Sequence, residues 1–289
     1  MAADIGPADS GPADVGLFGP SSVSWRLHAD PAMWFAGVRA LYLQALHPLT
    51  AGGVYQHSRF KQDPLGRLWR TADFVGVVTY GTRAEAERAA ARVRAIHRRL
   101  CAACPETGRR FPLDLPELLL WVHCAEVSSF LTVVRRGGLR LTDRQADRYV
   151  DEQRRAAALV GLDRRAVPGS VAELDAYLDA VRPQLRAVPE SHDLMAYLRR
   201  PPATGWLVVP RLAWVQLSTV AYALLPRWAQ DLYGRPGLPD WTATGLLRTA
   251  RRAALAVPDP LRWRLAAPRI RTAVRRLGAD VAYTREVRV

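Results

Sequence analysis

The chain contains no asparagine, and Lys61 is the only lysine among its 41 basic residues. Without asparagine, a Cys-His-Asn nucleophilic triad is excluded outright. Three cysteines, an odd number in 289 residues, do not make a disulfide framework. There is no phosphate-cradling P-loop, no glycine-rich dinucleotide turn, no HExxH zinc motif and no GxSxG elbow, which sets aside the chemistries those spacings serve. Cys101 and Cys104 form a CxxC, but a structural zinc needs a second ligand pair, and only Cys124 beside His123 remains. Attachment of a c-type haem needs a histidine directly after the second cysteine, where Pro105 stands. The thiols therefore read as small apolar packing groups. Long apolar runs are scarce too: the most apolar segment, 206–226, is broken by Pro210 and Arg211 and is too short to span a bilayer. No charged region followed by an apolar run opens the chain, so a cytoplasmic location is expected.

What is present is an ordinary globular composition, 49% hydrophobic, enough to bury a substantial core. The net charge of +14 raises the alternative of a basic helical nucleic-acid-binding protein. The arginines, however, occur as scattered short pairs with no block of five or six like charges, so they read as solvated helix faces and no nucleic-acid partner is expected. Residues 1–20 repeat GPAD and offer no apolar face, which predicts a disordered lead-in followed by one domain over 21–289. Thr82 with Glu85, Thr142 with Gln145 and Ser170 with Glu173 have the spacing of capping boxes. Stops stand at Gly137-Gly138, Gly161, Pro183 and Gly234. The one β-rich run, VGVVTYG at 75–81, has nothing to pair with at hairpin distance. The pattern predicts an all-α fold of about ten helices.

The helix opening at Thr82 carries His97 in RAIHRRLCAAC. Helical steps from His97 reach Ala86, Ala90, Val93 and Leu100, so the imidazole points inward beside unusually small neighbours. Two readings stand. The ring is a core histidine bonded to a backbone carbonyl, or it is an axial ligand of haem iron approached along the alanine stripe. In DPLGRLWRTADF, Arg67 and Thr71 are four apart and share a face, with Arg70 one step round. Such a pair suits haem propionates or a pocket where oxygen is activated, and equally an arginine-rich surface helix. His47 precedes Pro48 and is expected to end a helix; His57 is placed in a loop, and His28 and His192 at the surface or in loops. His123 and Glu126 lie one turn apart on an apolar helix and are expected to satisfy one another.

The stretch SSVSWRLHADPAMWFAGVRALYLQALHPLTAGGVYQHSRFKQDPLGRLWRT, then RAIHRRL, then LPELLLWVHCAEVSSFL, resembles the family that joins the latex-clearing rubber oxygenases to the MpaB oxygenase. The likeness runs from about Leu17 through LPRWAQDLYG and VPDPLRWRLAAP, nearly the whole chain. It implies a partly globin-like all-α fold enclosing one haem b, with dioxygen as co-substrate and a small, largely apolar substrate of isoprenoid or aromatic kind. It also implies that His97 is the proximal iron ligand, that Arg67 and Thr71 sit near the haem, and that Arg70 stands where the rubber oxygenases carry lysine. Those enzymes place a glutamate on the distal side; LTAGGVYQHSRF here has no carboxylate, leaving His57 or Tyr55 in its place, and polyisoprene is not carried across. A haem-binding or haem-sensing protein without turnover is the alternative. Peripheral membrane contact and oligomeric state stay open.

Overall fold

The computed structural model describes residues 14–58, 64–200, 208–259, 261–262 and 268–278; of 64, 65, 67, 68, 208–210 and 268 the backbone alone is described. Helices α1 (Val23–His28), α2 (Met33–Gln44), α3 (Pro48–His57), α4 (Pro64–Tyr80) and α5 (Arg83–Arg99) precede a hairpin of β1 (Cys101–Ala103) and β2 (Arg110–Pro112). Then follow α6 (Pro116–Gly137), α7 (Asp143–Leu159), α8 (Val171–Val181), α9 (Pro189–Arg199), α10 (Val208–Ala223), α11 (Arg227–Leu232), α12 (Asp240–Ala256) and α13 (Pro268–Leu277). The chain is a single all-α domain. Thirteen helices among the described residues exceed the expected ten or so, because elements as short as the six-residue α1 and α11 leave little periodicity to read.

Local signals account for most helix ends. Thr82 and Thr142 form complete capping boxes with Glu85 and Gln145. Ser170 accepts from the Glu173 amide, but the Glu173 carboxylate reaches back to the Gly169 amide at 2.7 Å, so the third box is shifted by one residue. Gly138 closes α6 with φ 107°, a left-handed backbone that glycine adopts without penalty. The β-rich run at 75–80 is helical: Val77, Val78 and Tyr80 are buried as the last turn of α4, and tertiary burial overrides the local strand preference.

Helix α6 is the hub, touching α1, α2, α3, α7, α8 and α12. Ala32 at the N-cap of α2, with Ala36 and Ala40 within it, presents a four-residue repeat of small side chains to the core cluster containing Cys124, Val127 and Leu131 of α6. Small side chains let the two backbones approach. The crossing is fixed lengthwise by reciprocal bonds: the Trp121 indole donates to Gln44 O at 3.1 Å, and the Gln44 amide donates to Val122 O at 3.0 Å. By length and composition α6 could cross a bilayer, yet here most of that apolar stretch is buried inside the fold.

Of the expected lead-in, residues 14–20 are described: Leu17 and Phe18 are buried against Val78, and the Asp14 carboxylate accepts from the Gly16 and Arg83 amides, while Asp14 and Val15 are exposed. Residues 1–13 of that lead-in lie outside the described residues. Helix α5 stops at Arg99 instead of running through the cysteines. Leu100 is extended, its carbonyl accepts from Leu113, and Cys101–Ala103 pairs antiparallel with Arg110–Pro112.

One buried ion pair ties the start of the chain to its end. Asp30 and Arg251 have side chains only 2% and 11% exposed, and the guanidinium grips Asp30 Oδ2 through Nε at 2.8 Å and Nη2 at 2.6 Å. Replacing one member leaves a buried charge without its partner, which costs about 3–5 kcal/mol. Asp30→Ala is expected to lower the urea unfolding free energy by that amount, and the double variant Asp30→Ala/Arg251→Met by clearly less. Equal losses in the two would show that the pair is solvated.

Candidate functional site

A cavity of about 390 Å³ lies between α1, α2, α4 and α6, closed at one end by α12 and α13. This is within the range of small-molecule pockets, about 300–1,000 Å³. Its walls are mostly apolar, including Phe35, Leu41, Val75, Phe130, Leu217 and Ile270. Gly37 faces it across open space, since a Cβ there would meet nothing within 4 Å. Trp34 and Trp69 also line it, packed edge to face with centroids 5.1 Å apart.

The polar groups in the wall are held in defined states. Thr79 Oγ1 donates to Val75 O at 2.8 Å, so it accepts from His28 Nδ1, also at 2.8 Å; His28 Nε2 then accepts from the Tyr149 hydroxyl at 3.1 Å. Both nitrogens are engaged in one tautomer, and burial lowers the imidazole to about 3. His28 is therefore a part-buried, neutral wall residue, not the surface residue expected. Glu126 is the opposite case. It lies deep among neighbouring atoms, the surface it keeps is cavity wall, and it has no hydrogen-bond or ion-pair partner among the described residues. Burial alone raises its carboxyl to about 7. His123, one turn earlier, is lowered by burial to about 4 and likewise lacks a hydrogen bond, so the expected His123–Glu126 pair does not form.

His97 sits on the inner side of α5, half-buried, on the face carrying buried Ala86 and Ala90, as the helical spacing predicts. Burial lowers its pKa, with Asp114 opposing. Neither ring nitrogen has a hydrogen-bond partner among the described residues. His97 is not in the cavity wall. Thr71 is, at the exposed end on α4, the helix that packs along α5, and Arg70 beside it is exposed. Arg67 stands one turn earlier on α4, and its side chain lies outside the described residues.

His57 is the last residue of α3, exposed, and its Nε2 donates to Cys101 O at 2.9 Å, so it anchors the hairpin and does not line the cavity. Tyr55 packs beside Val188 and Leu194 instead. His47 begins α3 as its N-cap, its ring accepting from the Leu49 amide, rather than ending α2. His192 is exposed on α9. Of the thiols, Cys124 is buried and Cys104 partly so, while Cys101 is exposed on the hairpin and does not pack as expected. No group of three or more metal-ligating side chains occurs among the described residues.

The chain is an all-α bundle that encloses a mostly apolar pocket and, outside that pocket, holds a half-buried imidazole with no hydrogen-bond partner among the described residues. The family described as ER-bound oxygenase mpaB/B'/Rubber oxygenase, catalytic domain, matches residues 25–278, and the chain belongs to that family. It is an oxygenase family, and oxygenases use dioxygen. No curated protein and no solved structure matches the chain.

The wall carboxyl makes stability depend on pH in a definite direction. Glu126 moves from 4.5 in the unfolded chain to about 7 in the fold, so the folded state holds the extra proton between those values and loses relative stability as pH rises through them. His28 and His123 act oppositely, their neutral forms losing stability as pH falls below 6.5. Glu126→Gln removes only the first effect. Its unfolding free energy should match that of the unaltered protein near pH 4.5 and exceed it by about 3 kcal/mol at pH 8, measured by urea denaturation. A difference that does not change with pH would mean that Glu126 titrates normally.

Proposed function

We propose that the chain is a haem b-dependent oxygenase acting with dioxygen on a small, largely apolar molecule, with His97 as the axial iron ligand. One observation carries the reading: in a chain of an oxygenase family, His97 is half-buried and without a hydrogen-bond partner among the described residues, on the alanine face of α5. His28, by contrast, has both ring nitrogens bonded, and His123, which also lacks a bond, lies on the apolar helix α6 and not on a face of alanines. Burial favours the neutral ring, which is the ligating form, and the charge of Asp114 sustains its basicity.

When bound, haem supplies the iron centre at which dioxygen is activated. The protein's own part is holding and orientation. Arg67 and Arg70, on the helix beside α5, supply cationic donors suited to propionates. Thr71 lines the cavity where α4 reaches it, and its hydroxyl would hydrogen-bond an oxygen or a water there. The apolar cavity receives the substrate and excludes water from it. Arginines spread over the surface and joined to carboxylates, as in Arg135–Asp143, Arg136–Asp240 and Arg269–Asp73, favour this reading over polyanion binding.

Protein expressed with ample haem supply is expected to purify with a Soret band. His97→Ala should lose the band while keeping its helical circular dichroism. An unchanged band in His97→Ala overturns the ligand assignment, and no band in the unaltered protein overturns the cofactor. Oxygen uptake with apolar substrates separates turnover from haem binding alone.

A further inference from the structure

Among the carboxyl groups of the cavity wall, Glu126 is the one left over. Asp30 is taken by Arg251 and Asp73 by Arg269. The Gln44 amide donates to Val122 O, and both nitrogens of His28 are bonded. Glu126 has no hydrogen-bond or ion-pair partner among the described residues, in the middle of a largely apolar helix, with the Tyr149 hydroxyl near enough to feel its charge. An interior carboxyl without a partner costs free energy, and a bound ligand can remove that cost.

We propose that this cavity binds an apolar molecule carrying a carbonyl oxygen, and that the Glu126 carboxyl donates the hydrogen bond that holds it. The group is un-ionised over most of the range below neutrality, so it is a donor and not a negative charge. A cationic amine is disfavoured because an un-ionised carboxyl offers it no counter-charge and the other wall carboxylates, Asp30 and Asp73, are already paired with Arg251 and Arg269. A plain hydrocarbon fills the space and leaves the donor unsatisfied. A ketone or ester of moderate size does both, with its apolar body against Phe130 and Ile270 and towards the open space at Gly37. That the occupant is a substrate rests on the oxygenase reading; that it binds does not.

The test compares 4-phenyl-2-butanone with its hydrocarbon counterpart n-butylbenzene on the full-length protein, by calorimetry and by the fluorescence of the wall tryptophans Trp34 and Trp69. In Glu126→Leu, the ratio of ketone to hydrocarbon affinity is expected to fall about tenfold, the scale of one buried hydrogen bond. In Glu126→Gln, which keeps a donor, the ratio should be retained. Gly37→Leu, which fills the cavity from α2 and leaves residue 126 unaltered, should weaken both ligands. The proposal is overturned if the ratio is the same in Glu126→Leu as in the unaltered protein, or if Gly37→Leu leaves ketone binding intact. Calorimetry reports on a chain with or without haem, so ketone binding and haem retention fail independently.

Discussion

The close packing of α2 on α6 is the contact from which the rest of the architecture follows. Helix α6 is apolar on nearly every side, and such a helix is stable in a globular fold only when other helices cover it all round. The alanines at 32, 36 and 40 bring α2 close on one side, while α7, α8 and α12 cover the others. The Gln44–Trp121 exchange removes the freedom to slide. Helix α2 cannot fill both of its edges at once. Its alanine edge meets α6, and the edge bearing Gly37 and Leu41 faces space that α4, α12 and α13 enclose without filling. The cavity is thus a consequence of how the hub is packed.

The interior treats two ionisable groups in contrasting ways. Arg39 is 4% exposed with no carboxylate paired to it among the described residues, yet its Nε donates to Leu224 O at 2.9 Å and its Nη1 to Ser129 Oγ at 2.6 Å. Leu224 directly follows α10, where unpaired carbonyls carry the negative end of the helix dipole, so the charge is offset by backbone. Burial lowers it to about 10, and it stays charged at neutral pH. Arg39 ties α2, α6 and α10 together. Glu126, three residues before Ser129 on α6, has no equivalent arrangement, and a buried polar group that stability does not use is where function is to be sought.

What could be read from the residues divides along the line between local and distant causes. Thr82 and Thr142 with their partners three residues on are self-contained devices, so those helix starts were visible, as was the inward face of α5 with His97 on it. The end of α5 was not. It is set by a hairpin seated against α3, where Gly52 and Gly53 have no Cβ to strike Pro105 and Leu113, and where Gln56 and His57 bond Ala103 and Cys101. His28, in the loop-like setting HADP, is held by Thr79 and Tyr149, residues 51 and 121 positions away. Glu126 did leave a trace: it is the only charged residue between Glu117 and Arg135. Its isolation signalled a special environment, but seven separated segments of chain build the cavity it faces, and no window of sequence contains them.

Helix α4 connects the two halves of the proposed chemistry. One side packs along α5, which holds His97, and the Thr71 end opens on the cavity that holds Glu126. On the oxygenase reading the two must adjoin, because oxygen activated at an iron has to reach the substrate. A cofactor with two acid groups calls for arginines and a ligating imidazole, whereas an apolar substrate calls for apolar walls and one directed hydrogen bond. Arg67, Arg70 and Thr71 stand on the one helix that borders both α5 and the cavity, and Thr71, which lines the cavity, is the expected site residue common to both demands.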